Sequence, residues 1–112
     1  MKSRKIKIYG RVQGVFFRAN TKKFCDMIKI CGRVRNCSDG SVEIVVQCDK
    51  ERLEILEKWL KNSHGLSKVE KVEGEEVEVG EKFEDFRIVS SGNLIVDKGK
   101  AARNLSKRLL RY

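Results

Sequence analysis

The chain of 112 residues has no apolar run approaching the roughly 20 residues that a membrane-spanning helix needs, so no span is expected. Met1-Lys2-Ser3-Arg4-Lys5 leads into alternating apolar and polar positions instead of a continuous apolar stretch, and no export signal is read there. A soluble cytoplasmic protein is the expectation. Metal-ligating residues are scarce: His64 is the single histidine, and Cys25, Cys31, Cys37 and Cys48 form no Cys-x-x-Cys pair. That gives a zinc site little support. Without an export signal, four cysteines read as free thiols in preference to two disulfides. Aromatic residues make up only 7% of the chain, and Tyr9 stands nearly alone on its strand. The row of rings on which RNA-recognition sheets stack bases is absent.

What the chain does have is charge and short periodic segments. With 40% hydrophobic and 37% charged residues, it can build one modest core in one domain beneath a charged surface. The net charge of +9 is unevenly placed. Residues 1–89 carry 19 basic and 15 acidic side chains, whereas residues 90–112 carry 6 and 1. Such a field attracts phosphorylated metabolites, nucleic acid or acidic lipid, and charge alone does not choose among them.

Periodicity orders the elements. Ile6, Ile8 and Val12 alternate with Lys5, Lys7, Tyr9 and Arg11, predicting a half-buried strand from Arg4 to Val12. A helix from about Phe17 to Cys31 follows, with Phe17, Phe24, Ile28 and Cys31 on one stripe, Met27 beside it, and Gly32 ending it at positive φ. Strands Arg33–Cys37 and Ser41–Cys48 are joined by Ser38-Asp39-Gly40, a hairpin signal. Asp49 is placed to cap a second helix in which Leu53, Leu56 and Leu60 form the stripe, flanked by Ile55 and Trp59, with Gly65 at its end. A fourth strand lies within Val69–Val79, its alternation slipping around Gly74 as at a bulge or bend, and Phe86 and Ile88 mark a short fifth. The order β-α-β-β-α-β is that of an α+β, ferredoxin-like sandwich: an antiparallel sheet with two helices on one face. Residues 1–89 form this domain. Residues 90–112 read as a basic C-terminal extension, helical from about Asp97, with Ala101, Leu105, Leu109 and Tyr112 on one stripe. Docking of that helix on the domain, or pairing with another copy, is favoured over nucleic-acid or membrane binding.

Two segments carry the chemistry. Gly10-Arg11-Val12-Gln13-Gly14-Val15-Phe16-Phe17-Arg18 joins a strand to a helix start. Glycines let the backbone turn tightly there, and the unpaired first N–H groups of a helix make an anion site. Arg18, about one turn in, can add a bidentate grip on phosphate. Asn36, late in a strand before the hairpin, carries an amide suited to holding a water molecule. Taken singly, the first segment reads sooner as a plain turn with a solvated arginine, and Asn36 more strongly still as an ordinary turn residue.

Together the segments are more specific. Gly-x-Val-Gln-Gly-Val-x-Phe-Arg at 10–18, Gly-x-Val-x-Asn at 32–36 and Asp-Gly-Ser-Val-Glu at 39–43 resemble the acylphosphatases, and the likeness runs over residues 4–89. The resemblance implies hydrolysis of small acyl phosphates without cofactor or metal. It implies that the backbone of Gln13, Gly14, Val15, Phe16 and Phe17, together with Arg18, binds the phosphoryl group. Asn36 would orient the attacking water, and the carboxylate would leave directly with no phosphoenzyme. Three positions depart from the family's pattern: Arg33 stands where tryptophan is common, Cys37 where threonine is frequent, and Ser63-His64-Gly65-Leu66 lacks a usual proline. The competing readings are a non-catalytic module of the same fold, binding nucleic acid or a protein partner through the basic tail, and an accessory domain like that of the hydrogenase-maturation carbamoyltransferases. Nothing in the sequence selects an oligomeric state.

Overall fold

Alternation decides which way each strand faces, and the same parity runs through the sheet. The computed structural model describes residues 2–62, 65 and 67–90. Its elements are β1 (Lys2–Arg11), α1 (Phe17–Met27), β2 (Cys31–Asn36), β3 (Val42–Gln47), α2 (Lys50–Leu60), β4 (Lys68–Glu78) and β5 (Phe86–Ile88). Residues 91–112, with the expected basic helix, lie outside the described residues, as does His64. No described helix is long and apolar enough to cross a membrane.

The strand order is β4-β1-β3-β2-β5. The first four strands pair antiparallel, as expected. β5 instead lies parallel to β2, Gly32 opposite Phe86 and Val34 opposite Ile88, which makes the sheet mixed. The reason is topological: the chain leaves β4 on one edge, crosses one end of the sheet, and enters the opposite edge running back against β4. Gln47 fixes that crossing, donating to the Glu81 carbonyl at 2.9 Å and accepting from the Phe83 N–H at 2.7 Å.

Ile6 and Ile8 of β1, Val34 of β2, and Val42, Ile44 and Val46 of β3 are wholly buried in one cluster with Phe17 and Cys25 of α1 and Leu56 and Leu60 of α2. Each large aliphatic side chain buried there contributes about 1.5–3 kcal/mol. Trp59 closes the cluster by stacking on Phe24 at 4.6 Å between ring centroids. The stripe of α1 differs from the expected one. Thr21 and Cys25 are buried in it while Met27 is exposed. Thr21 tolerates burial because its hydroxyl donates to the Phe17 carbonyl one turn back, at 2.8 Å.

Three local expectations are corrected. α1 ends at Met27, and Lys29, at φ 65, is the left-handed residue beyond it. Lys29 N–H donates to Asp26 O and Ile30 N–H to Cys25 O, the paired bonds of a Schellman ending, with Ile30 and Cys25 both buried. Gly32 therefore sits inside β2, where a Cβ would stand 2.2 Å from the Val45 carbonyl oxygen. α2 likewise stops at Leu60, before Gly65, with Lys61 still right-handed. The irregularity between β1 and β4 falls at Gly10, where the register skips Glu70, and not at Gly74. Gly74 keeps regular pairing with Ile6 and leaves room for the Arg4 guanidinium to lie over it.

The sheet's other face is a lattice of opposite charges. Glu43, 9% exposed, lies between Arg35 at 2.8 Å and Lys5 at 3.9 Å, and Lys5 continues to Glu75 at 3.2 Å. Lys7 reaches Asp39 at 3.2 Å in the β2–β3 hairpin. Asp39 Oδ1 also accepts from the Ser41 hydroxyl and the Ser41 N–H. The Ser41 hydroxyl, then its N–H, and the nearby Lys7 ammonium hold the Asp39 carboxyl down from 3.8 to about 2. A carboxyl depressed in the folded state stabilises fully above its unfolded value, near 3.8, and that contribution is lost as pH falls through about 2. The difference in urea midpoint between wild type and Asp39→Asn should therefore shrink between about pH 4 and pH 2. A difference that stays constant over that window would contradict the assignment.

Candidate active site

The connection from β1 to α1 brings several backbone N–H groups to one place. Gly14 has φ 73 and Phe16 φ 63, both left-handed, and Val15 between them does not. Such alternation turns successive N–H groups toward a common centre. Gly14 supplies its positive φ at no steric cost, whereas Phe16 does so against the preference of a bulky side chain. Phe16 is also the N-cap of α1, yet no side chain caps that helix and its first turn holds no acid. α2 shows the ordinary alternative: Asp49 accepts from the Arg52 N–H at 2.8 Å, and Glu51 occupies the first turn. The N-terminus of α1 is thus left open, with its unpaired N–H groups and partial positive charge facing outward.

An open concavity of ≈ 290 Å³ lies there, lined by Val12, Gly14, Phe16, Phe17, Arg18, Ala19 and Ile88. Arg18 is half-buried at its wall, and among the described residues it makes no hydrogen bond or ion pair. Arg33, Arg35, Arg52 and Arg87, by contrast, each hold a carboxylate. A partly desolvated guanidinium with all its donors unengaged, beside an uncapped helix start, is suited to a tetrahedral anion.

Of the residues singled out from the sequence, Gly14, Phe16, Phe17 and Arg18 meet around this concavity. Val15 instead packs against the core, and Gln13 turns away. Gln13 Nε2 donates to the carbonyls of Cys37 and Ser41, each at 2.8 Å, and so ties the loop to the β2–β3 hairpin. Those two residues are already paired with each other, Cys37 N–H to Ser41 O at 2.8 Å, so the tie is made to the rigid base of the hairpin. Asn36 is the last residue of β2 and precedes that base. It stands two residues beyond Val34, whose neighbour across the parallel pair, Ile88, lines the concavity. The Oδ1 atom of Asn36 is buried and has no hydrogen-bond partner. A buried carbonyl oxygen left unpaired costs about 1–3 kcal/mol, which marks a position where a ligand or water belongs.

Two departures from the family's pattern have local explanations. Arg33 keeps the bulk of an aromatic by lying over the Phe83 ring at 4.4 Å while donating to Asp85. Cys37 serves through its backbone, which accepts from both Gln13 and Gly40. The four thiols are free; burial pushes Cys25 up to about 12 and Cys48 up to about 11, so both stay protonated. Among the described residues, no group of three His, Cys, Asp or Glu side chains could hold a metal ion. Sequence reasoning missed the side-chain tie of Gln13 and the place of Ile88. The second depends on the parallel docking of β5, for which three residues give no local signal.

Comparison with known proteins identifies the family. The acylphosphatase family model matches residues 4–88. An acylphosphatase of Nitrosococcus oceani is 46% identical over 74 residues, covering 66% of this chain and 83% of that protein. The crystal structure of acylphosphatase from Bacillus subtilis superposes with a TM-score of 0.73 at 35% identity, covering 80% of this chain and 99% of that one. HypF of T. kodakarensis also matches, with a TM-score of 0.73 at 29% identity over 81% of this chain, but over only 12% of its own length. On the family match, the relatives and the shared fold, the chain belongs to the acylphosphatase family, whose members hydrolyse acyl phosphates.

Proposed function

We propose that this chain hydrolyses small acyl phosphates without a metal, with Arg18 and the backbone of residues 13–17 holding the phosphoryl group and Asn36 holding the attacking water. The observation that carries this reading is the Arg18 guanidinium, unengaged among the described residues, on the wall of the concavity at the open start of α1; the buried Oδ1 of Asn36, at the end of β2, also has no partner. Arg18 and the α1 N–H groups neutralise charge on the three phosphoryl oxygens. Asn36 Oδ1 accepts a hydrogen bond from the water and so aims the water's lone pair at phosphorus, in line with the bond to be broken. The water oxygen bonds to phosphorus, and the bond from phosphorus to the carboxyl oxygen breaks, its electron pair leaving with the carboxylate. The water's proton passes to a phosphoryl oxygen. A carboxylate leaving group has a pKa of about 4, so its departure needs no general acid. Positioning and charge neutralisation then supply the rate.

Residues 1–89 are the catalytic unit in this reading, and 90–112 a basic extension of it. Four free thiols, two of them held protonated by burial, suit a reducing compartment, the cytoplasm.

Hydrolysis of benzoyl phosphate should persist in EDTA. Arg18→Gln should lose on the order of 10²–10³ in kcat/KM and also weaken inhibition by inorganic phosphate. Asn36→Ala should lose a similar factor in kcat while phosphate still inhibits. Equal loss of phosphate inhibition in both variants would contradict this division of roles. Gln13→Glu removes both donors and sets a carboxylate against two carbonyls. It should cost more activity than Gln13→Ala, measured as kcat/KM at equal folded fraction; equal losses would show that the tie does not position the site.

A further inference from the structure

Once the phosphoryl group is assigned to Arg18 and the loop, part of the concavity has no task. Its remaining walls are apolar: Val12, Phe16, Phe17, Ala19 and Ile88, with Gly14 as bare backbone. Val12 and Phe17 are buried core residues. Phe16 and Ile88 are not, being 77% and 41% exposed. Among the described residues, the other two large apolar side chains exposed to this degree, Met27 and Ile55, lie at the far end of α1 and on α2. Two of the four therefore border one site, reaching it from the loop and from β5. Phe16 holds its ring there in a left-handed backbone conformation that bulky residues avoid, a kind of strain that collects at functional sites.

We propose that Phe16 and Ile88 form the binding site for the acyl group, and that this enzyme prefers acyl phosphates with an aryl or branched apolar acyl group. The inference rests on the function proposed above and names the substrate class for the same site. Its occupant follows from the lining. Among the described residues, Arg18 is the only charged side chain on the wall, and it is assigned to the phosphoryl end. None of the other described wall residues carries a polar side chain, so a hydroxyl, amine or second carboxylate on the acyl group would lose its water without gaining a partner there. An apolar acyl group instead covers two side chains that are exposed in the free protein.

The test compares kcat/KM for benzoyl phosphate and acetyl phosphate in wild type, Ile88→Ser, Ile88→Leu and Phe16→Asn. Asparagine tolerates a left-handed backbone, so Phe16→Asn removes the ring while suiting the loop. Folding is monitored by circular dichroism. The benzoyl-to-acetyl ratio should fall about tenfold in Ile88→Ser and Phe16→Asn and stay near wild type in Ile88→Leu. Wild type itself should be inhibited about tenfold more strongly by phenylphosphonate than by methylphosphonate, a readout that needs no variant. An unchanged ratio, with both substrates slowed alike, or equal inhibition by the two phosphonates, would overturn the acyl site and leave the phosphoryl assignment standing. If wild type hydrolyses neither substrate, the functional reading fails and this inference with it.

Discussion

The site depends on one bidentate hydrogen bond. Gln13 Nε2 reaches two carbonyls at the base of the β2–β3 hairpin, and so binds the loop that leads into Arg18 to the hairpin that follows Asn36. The two segments are separated in sequence by all of α1. Without the tie, their relative placement would rest on the β1–β3–β2 ladder and on core packing under Phe17 and Val34. With it, the loop proposed to face phosphate is also held to the hairpin that follows the last residue of β2, as positioning requires. Everything behind the site supports that tie. The Asp39–Ser41 bonds set the hairpin, Lys7 braces Asp39 from β1, and the Schellman ending at Lys29 returns the chain into β2.

The charge distribution separates binding from stability. Cations on the sheet's open face, Lys5, Lys7, Arg33, Arg35 and Arg87, each meet a carboxylate, so that face offers little free positive charge to a polyanion. Arg18 meets none among the described residues. Two arginines of similar burial therefore do different things. Arg35 neutralises Glu43 under the sheet, while Arg18 remains available beside backbone N–H groups that no capping side chain occupies.

Much of this was legible from residue order, and the misses have physical causes. Alternation located β1, β3 and β5, and Asp49 marked the start of α2 because a capping carboxylate is a local interaction. The glycines misled. Gly32 reads as a helix terminator by propensity, yet its space is claimed by the Val45 carbonyl of the next strand, and Lys29 takes the left-handed position. Gly74 reads as a bulge, yet it makes room for Arg4 from a neighbouring strand. In both, a contact distant in sequence decided what local chemistry left open. The same holds for the site. Arg18 and Asn36 are recognisable through their motifs, but the turn of the Gln13 side chain toward the hairpin, and the arrival of Ile88 at the concavity, require strands to be paired first.

In the proposed function a phosphate-sized anion binds at the start of α1, in contact with Arg18 and adjacent to Asn36. Titrating inorganic phosphate into ¹⁵N-labelled full-length protein tests it most directly. Saturable shifts are expected at the backbone amides of residues 14–19, at Arg18 Nε–H and at the Asn36 side-chain amide, with the open sheet face unmoved. Shifts confined to residues 90–112, or spread over the lysines of the sheet, would contradict it.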